Sequence, residues 1–205
     1  MVFIDLTHEL RDNIPVFDGD PKFRLKSVSK DDDYSLYEIK SGLHSGTHID
    51  APYHFIKNGK KVHELNLNNL IGQSNILTLK NNETKNKEIA IDDLEIPEKI
   101  EDIVILNTTW FKKWGNDNYF RDNFYLSKEI TKLFLENEIK GIAIDCPSVD
   151  KYSKSTMHKL LLKNDVWIVE NLTNLNNLDK NKYTGFFIPM KIDSEASFIR
   201  AFLKG

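Results

Sequence analysis

The feature that most constrains this chain is a series of short apolar runs, each too brief for a stable helix. They cover Val2 to Leu6, Ser35 to Ile39, Ile76 to Leu79, Ile103 to Leu106, Gly141 to Ile144, Val166 to Val169 and Phe186 to Ile188. Their length and β-branched content predict strands. Two stretches read as helices. One starts after Ser127, a good N-cap, and shows Ile130, Leu133, Phe134 and Ile139 as an apolar stripe, with Gly141 beyond its end. A shorter one covers Lys154 to Leu162. Loops fall at Asn81 to Lys87 and Asn174 to Lys182, and Asp31-Asp32-Asp33 forms a charged turn. No linker or repeat interrupts the 205 residues, so one strand-rich α/β domain over 1–205 is expected.

Composition narrows the function classes. A net charge of −3 lacks the basic excess of a nucleic-acid binder. A single cysteine, Cys146, cannot form an internal disulfide and reads as a small buried residue. The N-terminal stretch carries Asp5 and Glu9 where a signal peptide needs basic and then apolar residues, and no apolar run is long enough to span a bilayer. These observations predict a cytoplasmic protein with neither nucleic-acid nor membrane partners.

Three of the six histidines fall in Leu43-His44-Ser45-Gly46-Thr47-His48-Ile49-Asp50-Ala51-Pro52-Tyr53-His54. Gly46, Thr47, Ile49 and Pro52 disfavour a helix there. In extended chain, side chains alternate, which puts His44, Gly46, His48 and Asp50 on one side, with glycine leaving room for an ion. Imidazole and carboxylate ligands suit zinc, and also manganese or iron. The other half of such a site must come from elsewhere. Glu170, ending the run Val166 to Val169, is either a ligand or a solvated strand end. His158 stands on the second helix. His8 and His63 have no comparable company. Phe17 and the Trp110-Phe111-x-x-Trp114 stretch are either a substrate wall or core.

The chain resembles the cyclase family of metal-dependent hydrolases, whose best-known members are bacterial kynurenine formamidases. Its signature, His-x-Gly-Thr-His-x-Asp-x-Pro-x-His, runs from His44 to His54. Asp145, Ser148 and Asp150 match a later Asp-x-x-Ser-x-Asp segment, and His158 and Glu170 match a downstream His and Glu. The opening Phe3 to His8 and the stretch from Pro189 to Ala201 also fit.

The resemblance implies a swivelling β/β/α fold, a homodimer or homotetramer, and two metal ions, most often zinc. His44, His48 and Asp50 would hold one ion and Asp50, His158 and Glu170 the other, with His54 as acid/base residue. It implies hydrolysis of a small amide, foremost N-formylkynurenine in tryptophan catabolism. Two departures bear on the substrate: Phe17 stands where formamidases tend to carry Trp, and Met157 and Lys159 flank His158 where a second His is common. A sibling hydrolase opening a cyclic amide or lactone is the second reading. A non-catalytic metal- or small-molecule-binding protein is the third.

Overall fold

The computed structural model describes residues 2–29, 33–81 and 85–205. Asp31 and Asp32 of the charged turn and residues 82–84 of the first Asn/Lys-rich loop lie outside them. Twelve strands and two α-helices are present among the described residues. The strands are β1 (Phe3–Asp5), β2 (Arg24–Ser27), β3 (Tyr37–Lys40), β4 (His48–Asp50), β5 (Ile71–Thr78), β6 (Glu88–Ile89), β7 (Ile103–Asn107), β8 (Tyr125–Leu126), β9 (Gly141–Ile144), β10 (Trp167–Glu170), β11 (Lys182–Pro189) and β12 (Ala196–Lys204). The helices are α1 (Lys128–Glu136) and α2 (Thr156–Lys163).

The main sheet runs β12-β11-β5-β7-β9-β10-β4, and β4 pairs back onto β12, closing a seven-stranded barrel. The long β12 makes closure possible. Its first residues, Ala196 to Phe198, pair with β4, and its last three accept β1 on the same side. Strands β5, β7, β9 and β10 are mutually parallel, whereas β4, β11 and β12 join in antiparallel fashion.

Every residue of β7 is buried, and alternate side chains enter different cores. Ile103 and Ile105 join Ala143, Trp167, Val169, Phe187 and Ala201 inside the barrel. Val104 and Leu106 join Ile142, Ile144 and Ile168 on the outer face, under Ile130 and Phe134 of α1 and Leu161 and Leu162 of α2. This period-two division decides where polar residues can stand. On β10, Trp167 and Val169 point into the barrel, so Ile168 and Glu170 face the helices. On β4, Ile49 fills the barrel, so His48 and Asp50 face outward as well.

The runs expected as strands all contain strands. The run from Ser35 to Ile39 gives β3, which among the described residues pairs with β2 in a separate two-stranded sheet, and all four of its residues are exposed. The first helix starts as expected, with the Ser127 hydroxyl accepting from the Ile130 amide at 3.3 Å. It ends at Glu136, before Ile139. The left-handed residue beyond it is Glu138 (φ 53°), not Gly141. Gly141 opens β9, where an added Cβ would collide with the Trp167 ring. Its lack of a side chain lets that indole pack across the strand.

Candidate metal centre

The extended reading of the histidine segment holds only for β4. Residues 43–47 form a turn and bend, and Gly46 sits at φ +64°. Its role is therefore different from the one expected. It supplies a left-handed backbone, and a Cβ there would meet Leu10 at 2.6 Å. The turn curls His44 back toward β4 instead of continuing its line. Asn171, also left-handed (φ 58°), holds the turn: its side-chain amide donates to the Gly46 carbonyl at 3.0 Å, and Thr47 Oγ1 donates to its backbone carbonyl at 2.6 Å. Tyr119 fixes Asn171 in turn, its hydroxyl donating to Oδ1 at 2.9 Å.

Antiparallel register sets Glu170 opposite His48 and Ile168 opposite Asp50. Helix α2 packs over β10 and brings His158 above them. Asp150 opens that helix by accepting from the backbone amides of Met157 (2.8 Å) and His158 (2.9 Å). The same carboxylate lies 2.8 Å from His158 Nδ1, which directs Nε2 inward. That Nε2 lies 3.1 Å from Glu170 Oε1 and 3.4 Å from Asp50 Oδ2. His48 is aimed likewise. Its Nδ1 bonds to the Gly46 carbonyl at 2.9 Å, leaving Nε2 at 3.5 Å from Asp50 Oδ1 and 3.6 Å from Glu170 Oε2. His44 Nδ1 lies 2.9 Å from Asp50 Oδ1, and its Nε2 is 3.5 Å from Glu195 Oε1.

The segment after β4 makes a short 3-10 turn from Pro52 to His54, with proline at its first position. His54 is thereby folded back to 4.4 Å from the His44 ring and 5.9 Å from that of His158, centre to centre. Two groups of potential ligands result, His44-His48-Asp50 and Asp50-His54-His158, with the ligand atoms of each within 4.8 Å of one another. All the residues expected at the site thus converge. His54 also lies close enough to Asp50 and His158 to join a ligand set.

The donors fit a divalent cation. His48 Nε2 is buried without a hydrogen-bond partner, and among the described residues the buried Asp50 carboxylate is met only by the imidazoles of His44, His48 and His158. Four donor groups thus crowd together, a costly condition unless something else satisfies them. Two ligand atoms bound tetrahedrally at zinc distances are about 3.4 Å apart, close to the separations around His48 Nε2 and between His158 Nε2 and Asp50.

Electrostatics point the same way. Burial opposes charge on His44, yet Asp50, Glu195 and Glu170 raise its pKa to about 10. Burial also opposes charge on His158, and Glu170, Asp150 and Asp50 together overcome it and push its pKa well up. Burial instead lowers His48 and His54 to about 4 and raises Glu170 to about 7. The carboxylates that raise His44 and His158 favour positive charge at this centre, which a metal cation would supply in place of protons.

A cavity of about 380 Å³ opens above these residues. Phe17 lines it, tilted against Tyr152 (5.5 Å) and edge-on to Phe120 (6.0 Å). Phe55 completes the aromatic wall. Trp110 and Trp114 do not reach it. Trp110 is buried in the outer core and donates to the Tyr119 carbonyl at 3.0 Å, while Trp114 stacks on His8 at 4.1 Å. Cys146 is fully buried, and burial raises its thiol pKa, so it is inert.

The sequence pattern missed Asn171, Glu195, Phe120 and Tyr152. An asparagine after a buried strand carries a faint signal, since it tolerates the left-handed region. Glu195 and the two aromatics carry none.

Comparison with known proteins agrees with the geometry. A family described as putative cyclase matches residues 4–151. A kynurenine formamidase from Bacillus thuringiensis subsp. konkukian (strain 97-27) is 31% identical, covering 98% of this chain and 97% of that relative. Isatin hydrolase A from Labrenzia aggregata, solved with benzyl benzoate, shares the fold with a TM-score of 0.85 at 23% identity, over 98% of this chain and 93% of that one. A potential metal-dependent hydrolase with cyclase activity matches with a TM-score of 0.78 at 24% identity, over 98% and 96%.

Proposed function

Starting from the fact that the chain belongs to the putative cyclase family, we propose that it is a metal-dependent amidohydrolase, an arylformamidase that hydrolyses N-formylkynurenine to kynurenine and formate. The observation that carries this reading is the meeting of His44, His48, Asp50, His158 and Glu170, their imidazole and carboxylate atoms facing one another at 2.9 to 3.6 Å beside an aromatic cavity. Full-length relatives named kynurenine formamidase support the substrate.

His44, His48 and Asp50 would hold one zinc ion, and Asp50, His158 and Glu170 a second, with manganese as the alternative metal. When bound, such ions lower the pKa of water from 15.7 to about 7 and polarise a carbonyl. His54 does the proton work. Burial keeps it unprotonated down to about pH 4, so it is available as a base at neutral pH. It takes a proton from the attacking water and passes it to the leaving aniline nitrogen. Phe17, Phe120 and Tyr152 hold the aryl ring against the wall. Asp150 keeps His158 in the tautomer that presents Nε2 to the site.

The enzyme acts as one domain over 1–205, in a cytoplasmic homodimer or homotetramer serving tryptophan catabolism. No helix among the described residues is long and apolar enough to cross a membrane. The test is metal analysis of the purified protein coupled to formamide hydrolysis with and without chelator. Two equivalents of zinc and activity abolished by chelation are expected; activity surviving complete metal removal overturns the reading. Sedimentation analysis of the same sample tests the oligomer.

A further inference from the structure

The mouth of the cavity carries charge of both signs. Asp20, on the loop that also bears Phe17, and Lys154, just ahead of α2, both line it. Among the described residues neither side chain has an ion-pair partner, and the two do not pair with each other. Their charged neighbours are engaged. Asp18 accepts from Arg121 Nη2 at 2.6 Å and Tyr152 Oη at 3.3 Å. Lys151 lies 5.9 Å from the Tyr125 ring centre and Lys159 5.7 Å from that of Phe55. Lys151 also lines the cavity, with its ammonium over Tyr125, so Asp20 and Lys154 are the carboxylate and the ammonium left there without an ion-pair or ring partner among the described residues. The lining of the same cavity includes aromatic rings and the candidate metal centre.

A purely anionic ligand would gain from Lys154 and be repelled by Asp20, and a purely cationic one would meet the reverse. A ligand with an ammonium and a carboxylate on one carbon satisfies both, so the pair discriminates by repulsion as well as attraction. We propose that Asp20 and Lys154 are a specificity-determining pair that reads a zwitterionic amino-acid head group on the aryl amide, Asp20 taking the ammonium and Lys154 the carboxylate. The amide part of this inference rests on the arylformamidase reading; the head-group part does not.

The experiment uses the metal-loaded full chain, wild type against Asp20→Asn, Lys154→Met and Lys154→Arg. Two substrates share the formamide, ring and ketone: N-formylkynurenine, which has the head group, and ortho-formamidoacetophenone, which lacks it. Calorimetric binding of kynurenine and ortho-aminoacetophenone runs in parallel. Because both charges are partly solvated, Asp20→Asn and Lys154→Met should each raise KM for N-formylkynurenine about fivefold and leave kcat within about twofold. The head-group-free substrate should be unaffected, and Lys154→Arg should keep the preference. Equal loss on both substrates, or no loss on either, overturns the proposal. If the wild type cleaves neither formamide, the arylformamidase reading fails by itself and calorimetry decides the head group. Tighter binding of kynurenine that both neutral variants abolish supports the pair; equal binding of the two ligands overturns it.

Discussion

At the floor of the cavity His48, Asp50 and Glu170 stand on hydrogen-bonded strands and are at most 5% exposed, whereas at its mouth Phe17, Asp20 and Lys154 stand on loops, half-buried or exposed. The floor is over-determined. Each side chain is fixed by sheet register, and His48 and His158 each have one ring nitrogen tied to the backbone or to Asp150. The mouth is held by local turns and surface contacts: the backbone bonds from Asp20 to Phe17 and from Lys154 to Lys151, two ring packings around Phe17 and the bonds from Arg121 and Tyr152 to Asp18. Buried charge requires rigid neighbours and a counter-charge, because its desolvation is otherwise not offset. A surface that selects among substrates needs neither, and a loop can vary without disturbing the barrel.

The largest expected effect breaks the floor. Asp50→Asn keeps shape and removes the charge shared by both ligand groups, so bound metal should be lost and hydrolysis should fall about a thousandfold or more, read by elemental analysis and turnover. Next comes His54, which is part of neither strand. His54→Ala should cut kcat by about 10² to 10⁴ with metal content unchanged. Loss of metal in that variant would move His54 into the ligand set, an arrangement its nearness to Asp50 and His158 allows.

A third measurement follows the melting temperature of metal-free protein with pH. His44, raised to about 10, contributes stability that is full below 6.5 and lost as pH rises through 10. Glu170, raised to about 7 by burial, weakens the fold as pH climbs from 4.5 to 7, where the unfolded carboxyl has lost its proton and the folded one still holds it. His48 and His54, lowered to about 4, weaken it as pH falls from 6.5 toward 4. The apo protein should therefore be most stable at about pH 6 to 7, and added metal should remove the alkaline decline by replacing the protons. An alkaline decline that persists with metal bound would detach these groups from the cation. The smallest effect lies at the mouth. Phe17→Ala should raise KM about tenfold at most, with kcat and melting temperature nearly unchanged. A loss of metal on that change would erase the distinction between floor and mouth.

Much of the floor was legible from local pattern. The spacing from His44 to His54 and the placement of Glu170 at the end of a β-branched run each pointed to chemistry. The mouth was hardly legible, because Phe120, Tyr152 and Lys154 are residue types found on any surface. Trp110 and Trp114 show the converse. As large aromatics they were candidates for the wall, yet one lies in the outer core and the other stacks on His8.

What the sequence determined by itself is local: strands from short apolar runs, a capped helix after Ser127, and imidazole and carboxylate donors in a compact segment. What only the tertiary structure decided is which of these meet. The hydrogen bond of Asn171 to the Gly46 bend, the closure of β4 onto β12 and the pairing of His48 with Glu170 are contacts between residues more than a hundred positions apart. Local propensity carries no information about such contacts, since they form only when the barrel closes and buries both faces of its strands.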